Sequence, residues 1–209
     1  SHERALLIPN VETAINFVMD ARPRIGARVV VFGQGPVGLL TTALLSEFPL
    51  AELVTVDYYE TRRKLSESFG ADRAVSPETL DGALDETADI AFELSGNPTA
   101  LDDAIDVTGY AGRIIVGSWY GTKDVALDLG GTYHRSNIRI RSSQVSRIDP
   151  DHADRWDKDR RLDVVCSWLS DNDVSELLTH EFEIERAAEA YRLLEERQNE
   201  AIQIAFSYE

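Results

Sequence analysis

Four β-branched or aromatic residues in succession, Val29-Val30-Val31-Phe32, break into Gly33-Gln34-Gly35-Pro36-Val37-Gly38, and Asp57 stands 19 residues beyond the last glycine. A short apolar strand that ends in G-x-G-x-x-G and opens a helix is the first turn of a βαβ unit, so this feature constrains the fold more than any other. The three glycines have separate duties. Gly33 permits a tight turn off the strand, Gly35 lets the backbone approach a pyrophosphate, and Gly38 lets the following helix pack close to the sheet. The helix N-terminus then turns free N–H groups and a positive dipole end toward the phosphates.

The glycine pattern alone is a weak signal, since a turn without a ligand explains many matches; its surroundings strengthen it. An amphipathic segment follows (Leu39, Leu40, Ala43, Leu44), then a second strand, Leu53-Val54-Thr55-Val56, that ends in an acid. This is the order a dinucleotide-binding unit requires. A carboxylate at Asp57 accepts hydrogen bonds from both ribose hydroxyls and repels a 2′-phosphate, which favours NAD over NADP. Arg62 and Arg63 leave NADP as the less favoured alternative, because an arginine there pairs with a 2′-phosphate, lies along the adenine, or points to solvent. Tyr58 and Tyr59 are expected to border the adenine, with ordinary surface tyrosines as the alternative.

Along the chain, residues 1–9 read as an extended leading segment, with Ser1-His2 as a tag remnant. From Asn10, an expected N-cap, Val11, Ala14, Ile15 and Val18 recur at helical spacing until Pro23. The spacing predicts strands over 28–32, 52–57, 73–75, 88–94, 113–117 and 138–145. Helices are expected between them, including a helix-like acidic stretch over 77–86. Six strands separated mostly by helices, with the fingerprint on the first turn, give an α/β fold with a doubly wound, six-stranded parallel sheet of the Rossmann type. A C-terminal α/β tail follows Asp149-Pro150: a charged stretch, a helix whose apolar face carries Leu162, Val165, Cys166 and Leu169, a strand over 177–182, a helix over 184–197 and a last strand over 201–208. The domain division expected is therefore 1–23, a leading segment and helix; 24–150, the dinucleotide-binding domain; and 151–209, the tail.

Composition excludes several classes. With 37 acids against 21 bases the net charge is −16, and among the bases only Lys64, Lys123 and Lys158 are lysine. A surface this negative repels a nucleic-acid backbone. Acid enrichment with lysine depletion fits a halophilic protein, in which concentrated salt screens self-repulsion; a merely acidic protein is the alternative. No stretch approaches the ~20 apolar residues of a membrane span and no signal-peptide pattern is seen, so a cytoplasmic protein without a membrane partner is expected. Cys166 is the single cysteine, and His2, His134, His152 and His180 are far apart. No zinc site is therefore expected within these residues. Cys166 is expected to be a buried small hydrophobe rather than a nucleophile. His134 reads as a loop histidine, with a proton relay as the alternative.

Five segments in order, from Gly26 to Leu40, Val56 to Asp72, Ala88 to Ala104, Gly112 to Gly117 and Leu177 to Leu194, resemble the cofactor-binding half and C-terminal tail of the medium-chain, zinc-type alcohol dehydrogenases. The stretch from Tyr133 to Trp156 is similar to a branch that includes bacteriochlorophyllide dehydrogenases. The resemblance implies an NAD-dependent oxidoreductase that transfers hydride between a secondary alcohol and a ketone, its small-molecule substrate. Gly33, Gly35, Pro36, Val37 and Gly38 would hold the pyrophosphate and support the nicotinamide. Asp57 would take the adenosine ribose, with Tyr58 and Arg62 on the adenine side. Ser95 and Gly96 would border the cofactor, and Val116, Gly117 and Ser118 would approach the nicotinamide. Trp119, Tyr120 and 142–144 would line the reactive face or pack in loops.

The family's N-terminal domain, which binds catalytic zinc and substrate, is not expected in these residues, and no glycine-histidine-glutamate zinc motif occurs. The chain by itself is then expected to lack activity, and a truncated, non-catalytic dinucleotide-binding sensor or partner subunit is the alternative function. Without that domain the apolar strand 202–206 needs cover, from the nucleotide domain, from a second copy in a homodimer, or from the rest of a longer protein of which the chain is a fragment.

Overall fold

The computed structural model describes residues 2–208; Ser1, and with it part of the expected tag remnant, lies outside them, as does the side chain of His2. Strand β1 (Arg28–Phe32) forms from the β-branched run, and Val29 through Phe32 are all buried. Such burial on both sides marks a central strand of a sheet covered by helices on each face. With β2 (Glu52–Val56), β3 (Arg73–Val75), β4 (Ala88–Glu93), β5 (Thr108–Val116) and β6 (Arg139–Ser142) it forms one parallel sheet in the order β3-β2-β1-β4-β5-β6. This is the doubly wound Rossmann order. Because β1 pairs with β2 on one side and β4 on the other, the order reverses there, and a crevice opens beyond the carboxyl ends of β1 and β4.

The helices are α1 (His2–Leu6), α2 (Ile8–Ala21), α3 (Pro36–Ser46), α4 (Glu60–Ser68), α5 (Pro98–Val107), α6 (Lys158–Asp171) and α7 (Ala187–Glu196). Alternation along β1 divides the core into two layers. Val29 and Val31 face α2, α3 and α6 through Ala14, Phe17, Leu39, Leu40, Val165 and Leu169. Val30 and Phe32 face the other layer, where α5 contributes Leu101, Ala104 and Ile105.

Several elements depart from expectation. The leading segment is helical rather than extended, and α2 begins at Ile8, two residues before Asn10. Pro9 causes no loss there, because a first-turn N–H has no partner within the helix. The acidic stretch 77–86 holds only a short 3₁₀ turn, Pro77–Thr79, and Gly82 at φ +85° interrupts any continuation. Strand β6 stops at Ser142, and 143–156 runs on as turns.

Cys166 is exposed, contrary to its expected burial. Helix α6 instead buries Arg161, Val165, Trp168 and Leu169. Arg161 is 1% exposed and sets that face: its guanidinium donates to Glu12 (2.7 Å), to Asn16 Oδ1 (2.5 Å) and to the Val145 carbonyl (2.7 Å). In the tail, β7 (Leu178–Glu183) and β8 (Gln203–Ser207) pair in parallel as a second sheet, joined through α7. Leu178 and Ile202 pack against the α2-side core, and β8 is half-buried throughout.

Candidate functional site

At the carboxyl end of β1, the turn explains two of its three glycines by packing within the protein. Gly33 has φ +87°, and a Cβ built on it would lie 2.5 Å from the Ser95 Cα. On Gly38 a Cβ would come within 1.9 Å of the Gly33 carbonyl oxygen, so the helix could not approach the strand. Gly35 is different. Its backbone is extended (φ −73°, ψ −173°), open to any residue, and nothing lies within 4 Å of where its Cβ would be. The protein's own packing supplies no reason for glycine there; open space lies in front of it, at the N-terminus of α3.

That space belongs to a cleft of about 350 Å³ lined by the ends of β1, β2 and β4 and the turns after them. Asp57, buried, sits at the end of β2; its Oδ2 accepts the Gln34 N–H (2.7 Å) and its Oδ1 the Tyr59 N–H (2.9 Å). The glycine turn and the acid are thus tied directly together. Gln34 is itself buried, donating to the Val31 carbonyl and accepting from Thr42, which fixes the turn from behind. Arg63 donates to the Asp57 and Tyr58 carbonyls, both at 2.8 Å. Arg62 reaches across to the tail, donating to the carbonyls of Gln198 (2.7 Å) and Ala201 (3.3 Å), with its guanidinium 5.0 Å from the Tyr59 ring centre. Its Nε is buried without a hydrogen-bond partner.

The wall formed by β4 is held by Glu93, which is fully buried. Its carboxylate accepts the Ser95 N–H (2.9 Å), the Ser95 hydroxyl (2.5 Å) and the Tyr120 hydroxyl. Burial, then the hydrogen bond to Glu93 and its charge, pushes the Tyr120 hydroxyl well above its ordinary value. Tyr120 therefore stays protonated and structural in this position.

Residues 36–158 match the zinc-binding dehydrogenase family. The chain belongs to that family. It is 26% identical over 205 residues to sorbitol dehydrogenase 1 of Saccharomyces cerevisiae, covering 91% of this chain and 54% of the yeast protein. Among solved structures it is similar to an alcohol dehydrogenase of Escherichia coli CFT073 complexed with NADH (TM-score 0.82, 19% identity, covering 100% of this chain and 60% of that one). It is also similar to a zinc-binding dehydrogenase of Sinorhizobium meliloti 1021 bound to NADP (TM-score 0.73, 17% identity, 90% and 54%). The chain spans about half the length of the curated relatives it matches.

In this zinc-binding dehydrogenase family member the cleft gathers Gly33, Gly35, Asp57, Tyr58, Arg62, Ser95 and Gly96. Pro36, Val37, Gly38, Val116, Gly117 and Ser118 are not in its lining. Gly117 is packed against Phe17 and Leu94, where a Cβ would lie 2.3 Å from the Phe17 ring. Ser118 accepts the Gly96 N–H (2.8 Å) and so braces the wall from outside. Trp119 is 90% exposed and His134 is exposed. Four further polar residues that no sequence motif marks also line it: Asn97, Asp103, Lys123 and Gln198. Burial, then the neighbouring Asp102 and Asp106, raises the Asp103 carboxyl. Lys123 donates to the Gly96 carbonyl (2.9 Å). Lys123 and Gln198 carry no local motif, and only the fold brings them here. Among the described residues no group of three His, Cys, Asp or Glu side chains is gathered as metal ligands would be, and no helix is long and apolar enough to cross a membrane.

Proposed function

We propose that this chain binds NAD(H) as the cofactor-binding part of a dehydrogenase that interconverts a secondary alcohol and a ketone. The observation that carries the reading is Gly35, a glycine that nothing in the protein requires, facing the cleft at a helix N-terminus. The free N–H groups there and the open space suit a pyrophosphate. The dinucleotide supplies hydride chemistry when bound, and the chain's own residues bind and orient it. Asp57 would accept the adenosine ribose hydroxyls with the lone pairs its two backbone N–H partners leave free. Arg62, in the cleft lining, would lie on the adenine side, and Tyr58 would border the adenine. Pro36, Val37, Val116, Gly117 and Ser118 would lie toward the nicotinamide end. In this reading residues 24–150 form the nucleotide domain, flanked by 1–23 and by the 151–209 tail, which would meet a catalytic domain.

NAD rather than NADP is supported by charge. A 2′-phosphate would stand against the buried Asp57 carboxylate. Both candidate arginines, Arg62 and Arg63, already donate to backbone carbonyls. Fluorescence titration of the 209-residue chain with NADH and NADPH tests this. NADH is expected to bind at least about tenfold tighter, and Asp57→Ala to narrow the difference. NADPH binding equal to or tighter than NADH would overturn the assignment.

A further inference from the structure

At the amino end of the sheet, opposite the nucleotide cleft, a second cavity of about 390 Å³ is lined by Arg24, Arg113 and Arg139 together with Asp89, Tyr110 and Ala111. It opens where β1, β4, β5 and β6 begin. This clustering runs against the rest of the molecule. Net charge is −16, and several other arginines meet carboxylates, among them Arg22 with Asp149 and Asp151, Arg73 with Glu52, and Arg141 with Asp20 and Asp149. Among the described residues no carboxylate lies within 4.0 Å of the Arg24, Arg113 or Arg139 guanidinium. Asp89 turns its Oδ2 to the Arg28 N–H (2.8 Å) and supplies one negative charge against three arginines.

Arg113 is the half-buried member. Its Nη2 donates only to the Arg22 carbonyl, at a long 3.4 Å. Burial, then the charges of Arg24, Arg22 and Arg139, lowers its guanidinium from the ordinary value, the opposite of what a paired arginine shows. Two more features shape the wall. Ala111 holds a left-handed φ of +57° in the irregular stretch where β5 shifts register against β4, with its N–H donating to the Ser136 carbonyl (2.6 Å). Ile25 and Tyr110, also in the lining, are 85% and 81% exposed, leaving apolar surface at the rim.

We propose that this cavity binds a phosphate dianion, as the free ion or as the phosphomonoester of a small metabolite, separately from the nucleotide cleft. The three arginines less Asp89 leave two positive charges uncompensated, which a dianion neutralises. Guanidinium forks match the tetrahedral oxygens of phosphate. Ile25 and Tyr110 offer a surface for an ester's body.

Calorimetric titration of the full chain with inorganic phosphate, phenyl phosphate and succinate, at constant ionic strength, tests the site. Phosphate is expected to bind more tightly than succinate, and Arg113→Gln to weaken it at least about tenfold. Arg139→Gln, exposed on the edge strand and without a folding role, is expected to weaken it as well and serves if Arg113→Gln does not fold. Tighter phenyl phosphate identifies an ester as the ligand, and equal affinity identifies the free ion. Gly35→Val is expected to leave phosphate binding intact. Loss of binding in Gly35→Val would mean that phosphate occupies the nucleotide cleft, and would overturn the proposal. Tighter succinate, unaltered affinity in Arg113→Gln or Arg139→Gln, or no binding would overturn it too.

Discussion

Gly33, Gly35 and Gly38 are glycine for different reasons, and substitution separates them. Gly33→Ala forces a Cβ into the Ser95 backbone from a left-handed φ, and Gly38→Ala drives one into the Gly33 carbonyl. Each is expected to cost about 1–3 kcal/mol, read from the denaturant midpoint. At Gly35 a Cβ meets nothing within 4 Å, and in Gly35→Val the melting temperature should barely move. The motif was legible because backbone geometry demands glycine at fixed spacing; Asp57 was legible because the end of β2 lies beside that turn. Lys123, Gln198 and Glu93 were not, since their places depend on chain segments tens of residues apart. Asp149 illustrates the same limit. Burial would raise its carboxyl, but the Asp151 N–H, Arg141 and Arg22 outweigh burial and hold it at about 2. Its contribution to stability is complete above the ordinary value of 3.8 and disappears as pH falls through about 2. Asp149→Asn should therefore flatten the loss of melting temperature between about pH 5 and 2. An unchanged acid limb would refute the assignment.

Among the elements, α6 shows why pattern and packing diverge. The apolar spacing pointed to a face carrying Leu162 and Cys166, yet Leu162 and Cys166 are exposed and Arg161 is buried. One residue turns a helix by about 100°, so burying Arg161 against Glu12 and Asn16 swings the cysteine outward. Nothing within α6 announces partners on α2. Arg161→Ala is expected to destabilise by about 3–5 kcal/mol, because it strips Glu12 and Asn16 of a buried partner. Val165→Ala should cost about 2 kcal/mol. Cys166→Ala should be close to neutral, and the Cys166 thiol should react with a thiol reagent in the folded protein at nearly its unfolded rate. The central strands are more legible than the helices because β1, β2 and β4 are buried on both faces over most of their length and are mostly apolar, Asp89 being the exposed exception in β4. The 77–86 stretch failed as a helix where Gly82 takes a positive φ.

For the whole molecule, charge and topology make separate predictions. The net charge of −16 opposes compaction unless salt screens it. We expect the unfolding midpoint to rise substantially between about 0.1 and 2 M KCl, and an unchanged midpoint would contradict a salt-adapted chain. The sheet order places its crevice between the ends of β1 and β4, where a glycine turn, a buried acid and Arg62 converge. If the space before Gly35 belongs to a dinucleotide, NADH fluorescence titration of the parent chain and Gly35→Val, with melting curves of both, should show saturable binding by the parent, loss of at least about a hundredfold in Gly35→Val, and closely matching melting temperatures. Equal NADH affinity in the two proteins, or no binding by the folded parent, would mean that the space is not a dinucleotide site.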